Sequence, residues 1–276
     1  MAYEHYECLR VRVDAGVAAV TIDHPPINLF DLALIQEMDR VGRELAEDAA
    51  VRVVVLASAN PDFFIAHADV ALIQRLPRDV IETPTELGLF HAMVERFRTM
   101  PKATIAKVEG RTRGGGSELV LSCDMRFAAR GRAVFAQPEV ALGIIPGGSG
   151  TQRLPRLMGR ARALEAILGC DDFDADAAER YGWVNRALAP AELGPFVTRL
   201  ARRIASFPAE AVALAKRAVD AAELPTRAGL LEEAACFNRT LASAAAERRM
   251  RWFLANGGQT PEVERDLAAV IERMEG

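Results

Sequence analysis

Val51-Arg52-Val53-Val54-Val55-Leu56 is a β-branched run that is apolar at almost every position. A strand of that kind needs cover on both faces of its sheet. Thr104-Ile105-Ala106-Lys107-Val108 repeats the signal and ends at Gly110. Between the two lie a short helical segment, Val70 to Leu76, and a longer one ending near Met100. Strand, helix, strand in this order reads as βαβ units with right-handed crossovers, which commits the chain to an α/β fold.

The flanking segments extend this reading. Leu9 to Val13 alternates apolar and charged residues, Val17 to Ile22 is a second strand, and Asp14-Ala15-Gly16 between them supplies hairpin turn residues. Leu34, Ile35, Met38, Val41 and Leu45 mark a helix over Leu32 to Leu45, with Asp31 as its N-cap. Beyond about Gly159 the character becomes helical: Ala161 to Leu168, Ala175 to Tyr181, Leu193 to Ala205, Glu210 to Ala221 and Arg227 to Leu254, with Pro208 and Pro225 separating elements. The expected organisation is an α/β core over residues 1–207 and a helical region over 208–276. Half of the 276 residues are hydrophobic, enough for a sizeable core. No apolar run reaches the roughly 18 to 20 residues of a membrane span, and the N-terminus has no signal-peptide pattern. A soluble, cytoplasmic protein is expected. The net charge of −4, with basic clusters beside acidic neighbours, gives no nucleic-acid footprint. Cys8, Cys123, Cys170 and Cys236 are too scattered for a metal or redox pair and are expected reduced and buried.

Several familiar signatures fail. Gly114-Gly115-Gly116 lacks the third glycine of a dinucleotide fingerprint, and Gly147 to Thr151 has no lysine for a phosphate loop. The four histidines are too dispersed for a zinc helix, so no metal is expected. Three segments remain: Phe64 to Asp69, a small-residue loop after a strand; Gly110 to Leu119, where a strand gives way to glycines and then an apolar helix; and Gln137 to Gly148. Glycines at a helix start expose backbone amides that suit an anion or a developing oxyanion. Glu118 stands within about one 3.6-residue turn of Gly115. A carboxylate there would repel a phosphate but could act as a base on a neutral carbonyl compound. Glu139 supplies a second carboxylate, and two acids sharing a partly dry pocket can divide into acid and base. The alternative is a glycine-rich helix start with two solvated glutamates.

From roughly Val11 to Pro208 the chain resembles the enoyl-CoA hydratase/isomerase (crotonase) family. Phe64 to Asp69 is similar to the family's F-x-A-G-A-D, Gly114 to Leu119 to its G-G-G-x-E-L, Cys123-Asp124 to the C-D that follows, and Gln137 to Leu154 to its Q-P-E-x-x-L-G-x-x-P-G-x-G-G-T-Q-R-L. The resemblance implies a core of repeated ββα turns, trailing helices that build a homotrimer or a hexamer of paired trimers, and an acyl-CoA substrate with no separate cofactor. It further implies an oxyanion hole from the backbone amides of Ala66 and Gly115. Glu118 and Glu139 would be the catalytic acids of a hydratase that adds water to a 2-enoyl-CoA. The backbone of Ala66, His67, Ala68 and Asp69, with Gly114, would contact substrate or CoA.

The departures from the pattern leave alternatives. His67 replaces the usual glycine, so it either bonds substrate or CoA or points out of its loop. Arg111 and Arg113, two apart on a strand, either bind a carboxylate on the acyl group or form a structural ion pair with an acid such as Glu109. The first option would favour isomerase, decarboxylase or hydrolase chemistry on another acyl-CoA. Helical sequence beyond a Gly-Gly break, running to Gly276, departs from the family's ending. It keeps open a non-catalytic acyl-CoA-binding protein, and no site residue is assigned there.

Overall fold

The computed structural model describes residues 3, 5–77, 84–222 and 226–274. β1 (Leu9–Asp14) and β2 (Val17–Ile22) pair antiparallel with Asp14 opposite Val17. Ala15 and Gly16 both hold positive φ, 46° and 81°, the combination a two-residue type I′ hairpin demands. α1 (Leu32–Glu47) starts where expected, the Asp31 side chain accepting from the Leu34 amide.

From there the chain repeats a unit of two strands and helix. β3 (Val53–Ser58) and β4 (Phe63–Ile65) precede α2 (Val70–Gln74) and α3 (Leu89–Thr99). β5 (Ala103–Val108) and β6 (Arg111–Arg113) precede α4 (Gly115–Ser122). β7 (Met125–Ala129) and β8 (Val134–Ala136) precede a 3₁₀ turn over Glu139–Leu142, α5 (Gly150–Met158) and α6 (Arg160–Gly169). β9 (Phe173–Asp174), α7 (Ala175–Tyr181), β10 (Arg186–Leu188) and α8 (Pro190–Ala205) complete this part. The pairs β3–β4, β5–β6 and β7–β8 each give their first strand to a six-stranded sheet, ordered β1-β2-β3-β5-β7-β10, and their second to a four-stranded one, ordered β4-β6-β8-β9. The fold is the expected α/β core of repeated ββα turns.

The continuous apolar character of β3 now has its cause. Val54 and Leu56 join Leu34, Met38 and Phe97 in the main core, while Val53 meets Ile105, Phe127, Leu193 and Val197 under α8. Both faces are covered.

α9 (Ala209–Asp220), α10 (Thr226–Leu241), α11 (Ala244–Ala255), α12 (Pro261–Glu264) and α13 (Leu267–Glu272) follow. The single helix expected over Arg227 to Leu254 is two, because Ser243 turns extended and caps α11 by accepting from the Ala246 amide. Pro225 lies outside the described residues. The last helices do not stand apart: Phe253, Leu267 and Val270 pack with Val70, Leu142 and Ile144 in one core. Burial of side chains of that size is worth roughly 1.5–3 kcal/mol each, so the C-terminal region is anchored at the loops after β4 and β8. All four cysteines are free; three are buried, as expected, but Cys236 is only half-buried. Among the described residues no helix is long and apolar enough to cross a membrane.

Candidate active site

β4, β6 and β8 are adjacent and parallel, so their carboxyl ends lie side by side. Loops leaving that edge are Ala66 to Asp69, the Gly114 turn into α4, and Gln137 to Glu139. The carboxyl edge of a parallel sheet is where such folds gather ligand groups. The three segments singled out in the sequence therefore meet. They line a cavity with about 440 Å³ of space between its atoms, walled by His67, Ala68, Gly114, Gly115, Pro138 and Glu139, with an apolar side that includes Leu142, Ile144 and Phe253.

The expected oxyanion donor of the first loop needs correcting. The Ala66 amide donates to the Ile27 carbonyl at 3.2 Å and is fully buried, so it has nothing left for a substrate. Ala68 takes the place by the cavity. The carbonyl of His67 accepts from the Phe30 amide at 2.9 Å. Carbonyl and amide of one peptide plane point opposite ways, so the Ala68 amide is turned away from Phe30. Among the described residues it has no hydrogen-bond partner. Gly115 opens α4, where the first amides have no acceptor within the helix. An ideal Cβ on Gly115 would stand 3.3 Å from the Ala68 Cβ, which makes the two donors neighbours.

Gly114 must be glycine for two reasons. Its φ is +49°, and an added Cβ would lie 2.9 Å from Glu139 Oε1. That close approach brings Glu139 to the cavity wall. Glu139 Oε2 is buried and has no hydrogen-bond partner among the described residues. Burial, with the charge of Glu118 next, pushes the Glu139 carboxyl well above the usual range.

Glu118 stands behind this wall. Its Oε1 accepts from the amides of Gly148 at 2.7 Å and Gly150 at 2.9 Å. Its Oε2 lies beside Gly148, where an added Cβ would sit 2.5 Å away, and the Phe90 ring crowds the same spot. Burial raises Glu118 to about 7, with the charge of Glu233 adding and the two amides opposing.

Glu233 and His91 carried no sequence signal. Glu233, on α10, accepts from the Ser149 amide at 2.6 Å, the Thr151 amide at 2.9 Å and the Thr151 hydroxyl. His91 Nε2 lies 2.9 Å from Glu233 Oε1. Two buried carboxylates thus interleave on four successive amides, Gly148 to Thr151, at the positive end of α5. No local motif could have revealed an acid more than 80 residues away; only the spare amides of the 147–150 glycine run hinted that an anion was needed there.

Arg111 and Arg113 do share a side of β6, but neither lines the cavity. Arg113, fully buried, makes a fork with Asp172 at 2.7 and 2.6 Å and donates from Nη1 to the Glu264 carbonyl at 2.7 Å. Arg111 donates to the Arg265 carbonyl at 3.0 Å. Neither is placed to bind a substrate carboxylate. The structural alternative describes them, with Asp172 in place of Glu109, which pairs with Lys107.

His67 and Asp69 are likewise committed. The His67 nitrogens lie 2.8 Å from the Ala68 carbonyl and 2.9 Å from Glu264 Oε1, so its ring is spent within the protein although it borders the cavity. The Asp69 carboxylate caps α2 through the Ala71 amide and accepts from Gln259 Nε2, and its amide donates to the Phe30 carbonyl. Asp69 therefore contacts no substrate through these groups.

The family model for enoyl-CoA hydratase/isomerase matches residues 12–258. A short-chain-enoyl-CoA hydratase of Clostridium acetobutylicum is 38% identical over 75% of this chain and 78% of its own. A crotonyl-CoA hydratase of Syntrophomonas wolfei is 36% identical over 78% of this chain and 82% of its own. Among solved structures, a Streptomyces avermitilis chain provisionally described as an enoyl-CoA hydratase superposes with a TM-score of 0.89 at 41% identity, covering 97% of this chain and 98% of that one.

Proposed function

Because the chain belongs to the enoyl-CoA hydratase/isomerase family, we propose that its cavity adds water across the 2,3 double bond of a 2-enoyl-CoA thioester. One observation carries the reading. Among the described residues, a buried carboxyl oxygen without a partner, Glu139 Oε2, sits on a cavity wall beside two neighbouring unspent amides, Ala68 and Gly115.

The thioester oxygen accepts from those two amides, and each such donor is worth roughly 3 kcal/mol in comparable sites. Polarisation makes C3 electrophilic. The two acids divide the proton work by their surroundings. Burial raises both carboxyls, and the Gly148 and Gly150 amides favour the charged form of Glu118. A proton shared by the pair is better kept on Glu139, whose Oε2 accepts no hydrogen bond among the described residues. Glu118 takes a proton from water as the oxygen bonds to C3. The π electrons pass to the thioester oxygen as an enolate, and Glu139 protonates C2 as the enolate collapses. The acyl chain lies along Val70, Ile73, Leu142, Ile144, Leu267 and Ile271. Coenzyme A arrives with the substrate, and no further cofactor takes part. The carboxyacyl alternatives lose the two arginines on which they rested. Residues 1–207 carry the reacting groups and 208–276 the helices that close and assemble the site.

Incubation with crotonyl-CoA tests this. Loss of the conjugated thioester absorbance with a gain of one water in product mass is expected. An unchanged mass, or release of free CoA, would overturn it. Membership of the family supports a trimer or hexamer, and Leu168, Phe207, Leu214 and Val219 are exposed apolar side chains that such contacts could cover. Light scattering should then give three or six times the 30.0 kDa chain mass, and a monomer would contradict it.

A further inference from the structure

The C-terminal segment reaches the loop that carries the Ala68 amide. Glu264, fully buried, accepts from the Gln259 amide at 2.9 Å and faces His67 Nε2 at 2.9 Å. The Gln259 side chain accepts from the Val70 amide at 2.8 Å and donates to Asp69 Oδ1 at 2.9 Å. Arg113 and Arg111 hold the carbonyls of Glu264 and Arg265. Residues 67, 69 and 70 are thus all tied to a segment almost 200 positions later.

We propose that His67 is a positioning residue that fixes the oxyanion-hole amide of Ala68, and that Glu264 fixes His67. The inference rests on the hydration reading for the identity of the reaction, and on geometry for the rest. Two peptide planes meet at the Ala68 Cα. The first is held by the His67 carbonyl on the Phe30 amide. The second is held on both edges: the Asp69 amide donates to the Phe30 carbonyl at 3.1 Å, and the Ala68 carbonyl accepts from His67 Nδ1 at 2.8 Å. A carbonyl can only accept, so Nδ1 bears the proton. Nε2 then faces a carboxylate that is itself held by an amide. Burial alone would lower the imidazole, but Glu264 and the Ala68 carbonyl outweigh it and hold His67 above its ordinary value. For Glu264, burial pushes upward, and His67 with the Gln259 amide and Arg113 more than reverses it, leaving the carboxyl below its ordinary range. Both shifts favour an imidazolium–carboxylate pair with both ring nitrogens donating. The Ala68 amide lies in the first plane, whose two ends are the Cα atoms of His67 and Ala68: the His67 ring, held by Glu264, pins the one, and its bond to the Ala68 carbonyl pins the other. Loss of the ring frees both ends to shift the amide relative to Gly115, and a misplacement near 1 Å can cost on the order of 10²-fold in rate.

The test uses four variants of the full chain and two readouts. Turnover is measured with crotonyl-CoA. Binding of a saturated acyl-CoA, labelled with ¹³C at the thioester carbonyl, is read as the downward shift of its infrared band, which reports polarisation without chemistry. His67→Ala and Glu264→Gln are expected to lower kcat about tenfold or more with KM changed less than about threefold, and to shrink the band shift. In His67→Asn the amide nitrogen replaces Nδ1 on the Ala68 carbonyl, and most of the lost kcat and band shift should return. His67→Gln reaches Glu264 but not that carbonyl and should recover melting temperature without recovering kcat. A parental band shift in His67→Ala, or equal recovery by Asn and Gln, overturns the proposal. Should His67→Ala not fold, the Asn and Gln variants decide alone. A parent protein that shifts the band without consuming crotonyl-CoA would refute hydration while leaving the positioning role tested by the band. No shift in the parent would refute both.

Discussion

Glu139→Gln is expected to lower crotonyl-CoA turnover by about 10²- to 10⁴-fold, and Glu118→Gln by a similar factor, since each removes one partner of a proton relay. The pH dependence separates their roles. In the parent, kcat/KM should rise as pH climbs through about 7, to which burial raises Glu118, and fall once the pair has lost its remaining proton. The rising limb should vanish in Glu118→Gln. Stability should move the other way. A carboxyl raised by folding keeps its proton where the unfolded chain has lost it. Its contribution is therefore greatest below the ordinary carboxyl range near 4.5 and is lost as pH rises toward 7. At pH 8 the parent carries a buried charge that glutamine lacks, while glutamine can still accept from Gly148 and Gly150. Glu118→Gln should melt at or above the parent at pH 8, with the difference shrinking at pH 5. A variant with low activity and a large loss of melting temperature at pH 8 would mean a structural Glu118.

Arg113→Met is expected to cost about 1–3 kcal/mol of folding stability, read as a lower urea midpoint. The guanidinium is fully buried and satisfies both oxygens of Asp172 and the Glu264 carbonyl. Its removal leaves the Glu264 carbonyl without that donor, while the exposed Asp172 carboxylate turns to water. Arg113→Lys should recover little, because an ammonium cannot reproduce the fork. If Arg113→Met instead kept its urea midpoint and changed the preference between plain and carboxylated acyl-CoA thioesters, the arginine would belong to the substrate site after all.

Much of the fold was legible because its signals are local. The β1–β2 hairpin follows from alternation and two turn residues, α1 from five apolar positions and a capping aspartate, and β3 and β5 from continuous apolar runs. The strands of the smaller sheet were harder. β4, β6 and β8 have three residues each, too few for a period-two pattern to stand out. The break between α10 and α11 carries neither glycine nor proline; Thr240-Leu241-Ala242-Ser243 suits a helix interior as well as a cap.

The site followed the same division. Glu118, Glu139, Gly114 and Gly115 announce themselves by spacing, because a glycine run at a helix start and an acid one turn on have a fixed local geometry. Strand alternation likewise puts Arg111 and Arg113 on one side. Which side is a property of what packs there, and Asp172 and Glu264 came from distant parts of the chain. The two-residue displacement of the proposed oxyanion donor from Ala66 to Ala68 has the same origin. An amide is free or spent according to the carbonyl opposite it, and Ile27 and Phe30 reach that loop only after the sheet has formed. Residue chemistry and short-range spacing were thus determined along the chain. The direction of each donor and the partner of each buried charge were decided in three dimensions, since hydrogen bonds and ion pairs act over a few ångströms regardless of sequence separation.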